Sequence, residues 1–160
     1  MLKKYDRYRP IDNFVKIEFT EDNFSYPVRA TKLAVGYDLF ATKDEVIRPL
    51  DRKLLGTGIK LIMPEDMQGE IRSRSGLANK YGVFVLNSPG TIDPDYRGEL
   101  KVLLANMGHT PFDISRGDRI AQLVFSKFET PSFNSTSISN YERGEQGFGS
   151  TGIKWEETDE

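Results

Sequence analysis

Residues 83–104 read VFVLNSPGTIDPDYRGELKVLL. Both ends of this stretch, Val83–Leu86 and Leu100–Leu104, are runs of branched and aromatic residues, the composition of half-buried strands. Between them lie Ser88-Pro89-Gly90 and Arg97-Gly98. Proline presets φ for a turn and glycine admits positive φ, so the chain reverses here. The stretch predicts two strands with a hairpin over Gly90–Glu99. The same grammar recurs outward. Phe14–Phe19 alternates, with Val15, Ile17 and Phe19 on one face and Lys16 and Glu18 on the other. Ile59–Met63 groups Ile59, Leu61 and Met63, and Ala121–Phe125 is a further apolar run. Pro64-Glu65-Asp66, Asn106-Met107-Gly108 and Arg116-Gly117-Asp118 supply the intervening turns. Only Ser75–Tyr81 reads as a helix, of one or two turns. Short strands with frequent turns predict an all-β fold: a sandwich, jelly roll or barrel.

Composition narrows the chemistry. The 160 residues carry 22 Lys+Arg and 24 Asp+Glu, a formal net charge of −2, with no Cys and one His. A thiolate nucleophile, a disulfide framework and a Cys-ligated metal are excluded. The lone His109 reads as a surface loop residue, so chemistry falls to carboxylates, hydroxyls, backbone amides, Arg/Lys, or a metal brought by a substrate. The near-neutral charge argues against general nucleic-acid binding, which needs a basic face. No run of 18 apolar residues predicts a membrane span, and the basic N-terminus lacks the apolar stretch of a secretory signal. A hydrophobic fraction of 38% is low for one domain of this length, which implies extensive loops or a core shared between subunits. The charged ends read as solvated tails, and the Ser/Asn-rich stretch Thr130–Asn140 as a mobile linker.

Five segments carry chemistry-bearing side chains. Ala34–Phe40 (AVGYDLF) sets Asp38 among apolar neighbours. Arg72–Ala78 (RSRSGLA) places Arg74, Ser75 and Gly76 where an apparent strand enters the short helix, and a helix N-terminus with Ser and Gly suits either a phosphate or an ordinary Ser cap. Gly90–Glu99 holds Asp93 and Asp95 around Pro94, followed by Tyr96. A carboxylate made rigid by the following proline can hold and deprotonate a water; a turn with Asp side chains bonded to their own backbone is the plainer reading. Arg116–Phe125 (RGDRIAQLVF) puts the amide Gln122 inside an apolar run, facing either a polar site or water. Arg143–Gly152 (RGEQGFGSTG) surrounds Phe148, Ser150 and Thr151 with glycines, whose backbone amides can converge on an anion.

In this order and spacing, the five segments resemble the motifs of the trimeric dUTP pyrophosphatase (dUTPase) family over Leu33–Gly152. The resemblance implies a jelly-roll-like, β-clip protomer with a short helix and a mobile C-terminal arm, assembled as a homotrimer. It divides the chain into a domain over 1–130, a linker over 131–142 and a closing arm over 143–160. The implied reaction is Mg2+-dependent hydrolysis of dUTP to dUMP and pyrophosphate, which keeps uracil out of DNA and supplies dUMP for thymidylate synthesis. The implied place of action is the cytoplasm, or also the nucleus in a eukaryote. By position, Asp93 matches the general base, and Tyr96 the ring that packs on deoxyribose. Asn87, the backbone of Thr91, Ile92 and Asp93, and Lys101 match positions around uracil. Arg74, Ser75 and Gly76 match the motif that holds inner phosphates, and Gln122 the Gln that reaches the phosphate and metal-water shell. Arg143, Phe148, Gly149, Ser150 and Thr151 match the closing arm, and Asp38 a supporting position. No direct protein ligand for Mg2+ is implied, since the substrate's phosphates and water hold it. Ser73 stands where the family usually has Pro, Val35 where it has a small residue, and Pro94 where Ser or Glu is common.

Two alternatives are a nucleotide-binding regulatory trimer and a dCTP deaminase relative. The deaminases carry a catalytic Glu five residues after the hairpin glycine; here Leu103 stands five after Gly98 and has no proton to transfer.

Overall fold

The computed structural model describes residues 14–20, 25–137 and 144. The chain divides into two compact units, Met1–Glu129 and Thr130–Glu160. In the second unit, residues 130–137 form neither helix nor strand.

In the first unit the strands are β1 (Lys16–Phe19), β2 (Tyr37–Phe40), β3 (Glu45–Ile47), β4 (Arg52–Gly56), β5 (Ile59–Ile62) and β6 (Met67–Arg72), then β7 (Val83–Val85), β8 (Gly90–Ile92), β9 (Lys101–Asn106), β10 (Phe112–Ile114) and β11 (Arg119–Lys127). One helix, α1 (Ser75–Tyr81), lies between β6 and β7, on the residues the sequence marks. The fold is therefore mostly β with one short helix among the described residues. Every pairing is antiparallel. A four-stranded sheet runs β2-β11-β6-β8 and a three-stranded sheet β4-β9-β7, with two further pairs, β1-β5 and β3-β10.

Alternation explains which faces close the core. Leu100, Val102 and Leu104 are buried at successive even positions, with Ile59 and Leu61 of β5, Ile71 of β6, and Leu123 of β11. On β1, Ile17 and Phe19 are the half-buried positions and Lys16 and Glu18 the exposed ones, as the pattern predicts. Periodicity does not mark β2, β3, β4 and β10. They are three to five residues long, and β4 sets Leu54, 59% exposed, beside the buried Leu55.

The strand-like runs flanking Gly90–Glu99 pair with each other as the sequence predicts, but the segment between them is more than a turn. The hairpin is β7–β9, paired from Val83↔Asn106 to Val85↔Leu104. The excursion between them sends β8 to the other sheet, where Gly69↔Ile92, Glu70↔Thr91 and Ile71↔Gly90 pair it with β6. The reason is hydrogen-bond occupancy: β9 has β4 on one side and β7 on the other, so β8 must find its ladder elsewhere.

Asn106 ends β9 fully buried. A buried amide without partners costs about 1–3 kcal/mol, comparable to what burying a neighbouring Val contributes. Here the amide is satisfied. Its Nδ2 donates to Ile47 O and Thr110 O, both at 2.9 Å, and its Oδ1 accepts from Gly108 N–H at 2.8 Å. The same turn receives the end of α1. Gly82 caps the helix in the left-handed region (φ 68°), and a Cβ there would fall 2.8 Å from Gly108 N. Met107 N–H closes the contact by donating to Gly82 O at 2.9 Å. Asn106→Ala is expected to lower the unfolding free energy by about 3 kcal/mol, because two carbonyls and one N–H lose their partner. A urea denaturation midpoint matching the parent protein would contradict this role.

Candidate active site

Two clusters of polar side chains stand at opposite ends of β6. The first lies where β6 leads into α1. Asp38, on β2, is buried, and its carboxylate joins two guanidiniums: Arg74 Nε at 3.1 Å and Arg119 NH1 at 3.1 Å. Arg74 also donates through NH1 to Arg119 O at 2.8 Å. Gln122 is half-buried and its amide has a partner. Its Nε2 donates to Ser73 O at 2.9 Å. Ser73 Oγ accepts the Val85 N–H at 2.9 Å, tying the turn to β7. Residues 73 and 74 are thus gripped from four directions, while Ser75 and Gly76 remain exposed. Arg74 occupies the N-cap position with no side-chain cap bond, so Ser75 is not the ordinary cap its sequence also allowed.

The second cluster lies on the excursion between β7 and β9. Asp93, Pro94, Asp95 and Tyr96 form a turn closed by Tyr96 N–H donating to Asp93 O at 3.1 Å, and Arg97 NH1 braces it on Pro94 O at 2.7 Å. The Asp93 carboxylate is exposed and makes no hydrogen bond or ion pair among the described residues. Tyr96 folds back over Gly98 and donates its hydroxyl to Glu99 O at 3.1 Å; a Cβ on Gly98 would lie 3.0 Å from the ring's Cε2. The base of the excursion is fixed by Glu99 Oε1, which accepts Gly58 N–H at 3.0 Å, and by Thr57 Oγ1, which donates to Leu100 O at 2.7 Å. Asn87 packs its amide 3.2 Å from where a Cβ of Gly90 would sit. Lys101 opens β9 with its side chain exposed.

The register sets the distance between the clusters. Ile92 lies opposite Gly69, so Asp93 stands level with Gln68, six residues before Arg74 along an extended chain. At about 3.3 Å per residue this is roughly 20 Å. Asn87 and Gly90 lie nearer the Arg74 end, because Gly90 faces Ile71.

A family model described as dUTPase matches residues 22–152. The deoxyuridine 5'-triphosphate nucleotidohydrolase of Beijerinckia indica is 47% identical over 149 residues, covering 90% of this chain and 93% of that protein. That of Orientia tsutsugamushi is 45% identical over 137 residues, covering 84% and 93%. The chain belongs to the dUTPase family. The backbone agrees: a Staphylococcus bacteriophage 80alpha dUTPase with dUpNHpp superposes with a TM-score of 0.80 at 27% identity, over 88% of this chain and 99% of that one.

Of the residues the sequence singles out, the structure gathers Asp38, Arg74, Ser75, Gly76 and Gln122 at one end of β6, and Asn87, Thr91, Ile92, Asp93, Tyr96 and Lys101 on the excursion. Arg143, Phe148, Gly149, Ser150 and Thr151 lie outside the described residues. Sequence reasoning assigned no role to Arg119. Strict alternation from Gln122 would turn it to the opposite face, but β11 has an irregularity between Arg119 and Ala121 that brings it to Asp38. His109 is exposed in the turn after β9, as expected.

Among the described residues no group of three or more acidic or His side chains is arranged to hold a metal. Both oxygens of Asp38 already face guanidiniums. No helix among the described residues is long and apolar enough to cross a membrane. An apolar recess of about 620 Å³ is lined by Phe14, Tyr26, Val35, Tyr37, Met67 and Phe125. Lys127 at its rim is paired with Asp66 at 2.7 Å, and no polar cluster converges there, so the site residues are elsewhere.

Asp38→Asn keeps the shape but removes the charge shared by two arginines. Arg119 is 50% exposed and Arg74 25%, so solvent screens much of the attraction. The expected loss is about 1–2 kcal/mol of stability, read by urea denaturation. An unchanged midpoint would show that the pair contributes nothing.

Proposed function

We propose that the chain forms a homotrimer of jelly-roll-like protomers that hydrolyses dUTP to dUMP and pyrophosphate with Mg2+, using Asp93 as general base. The observation that carries the chemistry is Asp93 itself: a carboxylate free of partners among the described residues, on a turn braced by Arg97 and anchored at its base by Glu99 and Thr57. A base must be positioned but not neutralised, and this one is both held and unpaired. It orients a water towards the α-phosphorus and takes its proton.

The neighbouring residues divide the substrate between them. Among the described residues β8 is the edge of its sheet, so one row of its backbone N–H and C=O groups has no strand partner there. Thr91, Ile92 and Asp93 can therefore pair with uracil as another strand would, helped by Asn87 and Lys101. A base presenting the wrong donors leaves those groups unpaired, which discriminates far better than a change of volume. Tyr96, folded back against Gly98, closes the space a 2′-hydroxyl would need. Ser75 and Gly76 present exposed donors to the phosphates at the start of α1, with Arg74 and Gln122 behind them. Bound Mg2+ supplies charge neutralisation on the triphosphate. The segment 143–160 acts as the closing arm after a linker over 131–142, with Phe148 over the base and Arg143, Gly149, Ser150 and Thr151 on the terminal phosphate. The site of action is the cytoplasm.

The homotrimer is supported by the separation within one chain. Asp93 and the Arg74 turn stand roughly 20 Å apart along β6, farther than a base and the phosphate it serves can be. Two protomers that place the excursion of one against the turn of the next bring them together.

Two experiments test this reading. Asp93→Asn is expected to lower turnover about 10²–10⁴-fold with substrate binding retained; a variant with unchanged pyrophosphate release from dUTP would remove Asp93 from the mechanism. Refolding equal amounts of Asp93→Asn and Ser75→Ala chains together should regain roughly a quarter of full activity, because intact sites then form between unlike subunits. Mixtures no more active than either variant alone would mean that both clusters act within one chain.

A further inference from the structure

Gly36, just before β2, has no side chain to offer a ligand, yet the first cluster is built around it. A Cβ placed on Gly36 would fall inside the van der Waals shell of Gln122 Oε1, 2.9 Å from Cδ and 3.1 Å from Cβ of the same side chain. The amide oxygen can give way by rotation; the Cβ of Gln122 cannot, because β11 is paired on both sides with β2 and β6. The bare Cα is therefore the floor on which the Gln122 amide rests. From there its Nε2 reaches Ser73 O at 2.9 Å. That carbonyl immediately precedes Arg74, whose extended backbone (φ −89°, ψ 122°) starts the helix with no side-chain cap. Among the described residues no other hydrogen bond holds the Ser73 carbonyl, and the Ser73 hydroxyl is engaged with Val85.

We propose that Gly36 is a positioning residue: by leaving room for the Gln122 amide, it fixes the direction of the Ser73 carbonyl and so aims the exposed Ser75–Gly76 backbone at the phosphates. Any side chain at position 36 evicts the amide, frees Ser73 O and lets the turn rotate. Asp38, two residues on and on the same face, holds Arg74 separately through its ion pair. The two residues thus fix the backbone and the side chain of one turn by independent means. A misplacement of the order of 1 Å in a substrate-positioning group costs about 10²-fold in rate.

This inference rests on the proposed reading of Ser75 and Gly76 as phosphate donors, and the experiment separates the two. The wild-type chain is assayed first for pyrophosphate release from dUTP; failure there overturns that reading and the inference with it. Given activity, Gly36→Ala, Gln122→Ala and the double variant are compared for kcat/KM on dUTP and for inhibition by deoxyuridine, which has no phosphate. Gly36→Ala is expected to lower kcat/KM about 10²-fold while the deoxyuridine inhibition constant moves less than about twofold. Because Gly36 acts through Gln122, adding Gly36→Ala to Gln122→Ala should cost less than about threefold more. Equal losses for dUTP and deoxyuridine would mean general collapse rather than positioning. A full additional loss in the Gln122→Ala background would mean that Gly36 acts by another route. Either result overturns the proposal, as does an unaffected Gly36→Ala. If Gly36→Ala lacks a cooperative thermal transition, Gln122→Asn decides instead. Its amide is one methylene too short for Ser73 O, so the same selective loss of dUTP over deoxyuridine is expected, and a loss common to both ligands refutes the mechanism.

Discussion

Strand β6 is hydrogen-bonded on both sides, to β11 along Met67–Arg72 and to β8 along Gly69–Ile71. Much of the site geometry follows from that double occupancy. An antiparallel ladder fixes which residue lies level with which, and a slip of one residue would turn every side chain to the wrong face. The register therefore decides that the Asp93 turn leaves one end of β6 and the Arg74 turn the other. The separation that argues for a shared site is a consequence of pairing, not of loop length. The same ladder makes Gly69 tight: a Cβ there would stand 3.3 Å from both Ile92 and Leu123.

Apart from the buried Val124, the second face of this sheet carries mostly polar side chains. Gln122 lies opposite Arg72 and Asp38, and Val124 opposite Glu70, so these positions share the face turned away from Ile71 and Leu123. Glu70 pairs with Arg72, and Gln68 donates to Ser126 Oγ at 3.2 Å. Towards the α1 end the same row continues into Asp38, Arg74 and Arg119. A charged row satisfied from within holds its side chains in place, whereas exposed pairs contribute little to stability. Asn106 does the corresponding work at the far end of β9, where three hydrogen bonds convert a polar residue in the core into the anchor for α1.

Much of this was legible in the sequence. The alternation in Phe14–Phe19 and Ile59–Met63 reports a two-residue period that burial then reproduces, and Ser75–Tyr81 marks the helix to the residue. The order of the five segments along the chain is enough to identify the family. What local pattern could not carry are contacts between distant residues. Arg119 reaches Asp38 only through an irregularity in β11. Gln122 could equally have faced water until its partner, 49 residues earlier in the chain, was placed. The pairing of β8 depends on β9 having no free edge, a property of the whole sheet.

The sequence by itself determined the class of fold, the helix Ser75–Tyr81 and the inventory of reactive groups, because period, turn chemistry and side-chain type are local. Only the tertiary structure decided which groups face one another: that Asp38 binds two arginines, that Gly36 is where the Gln122 amide rests, and that the Asp93 turn and the Arg74 turn lie at opposite ends of β6. Those facts depend on register and on hydrogen-bond occupancy, and both are settled only when every strand has found its partner.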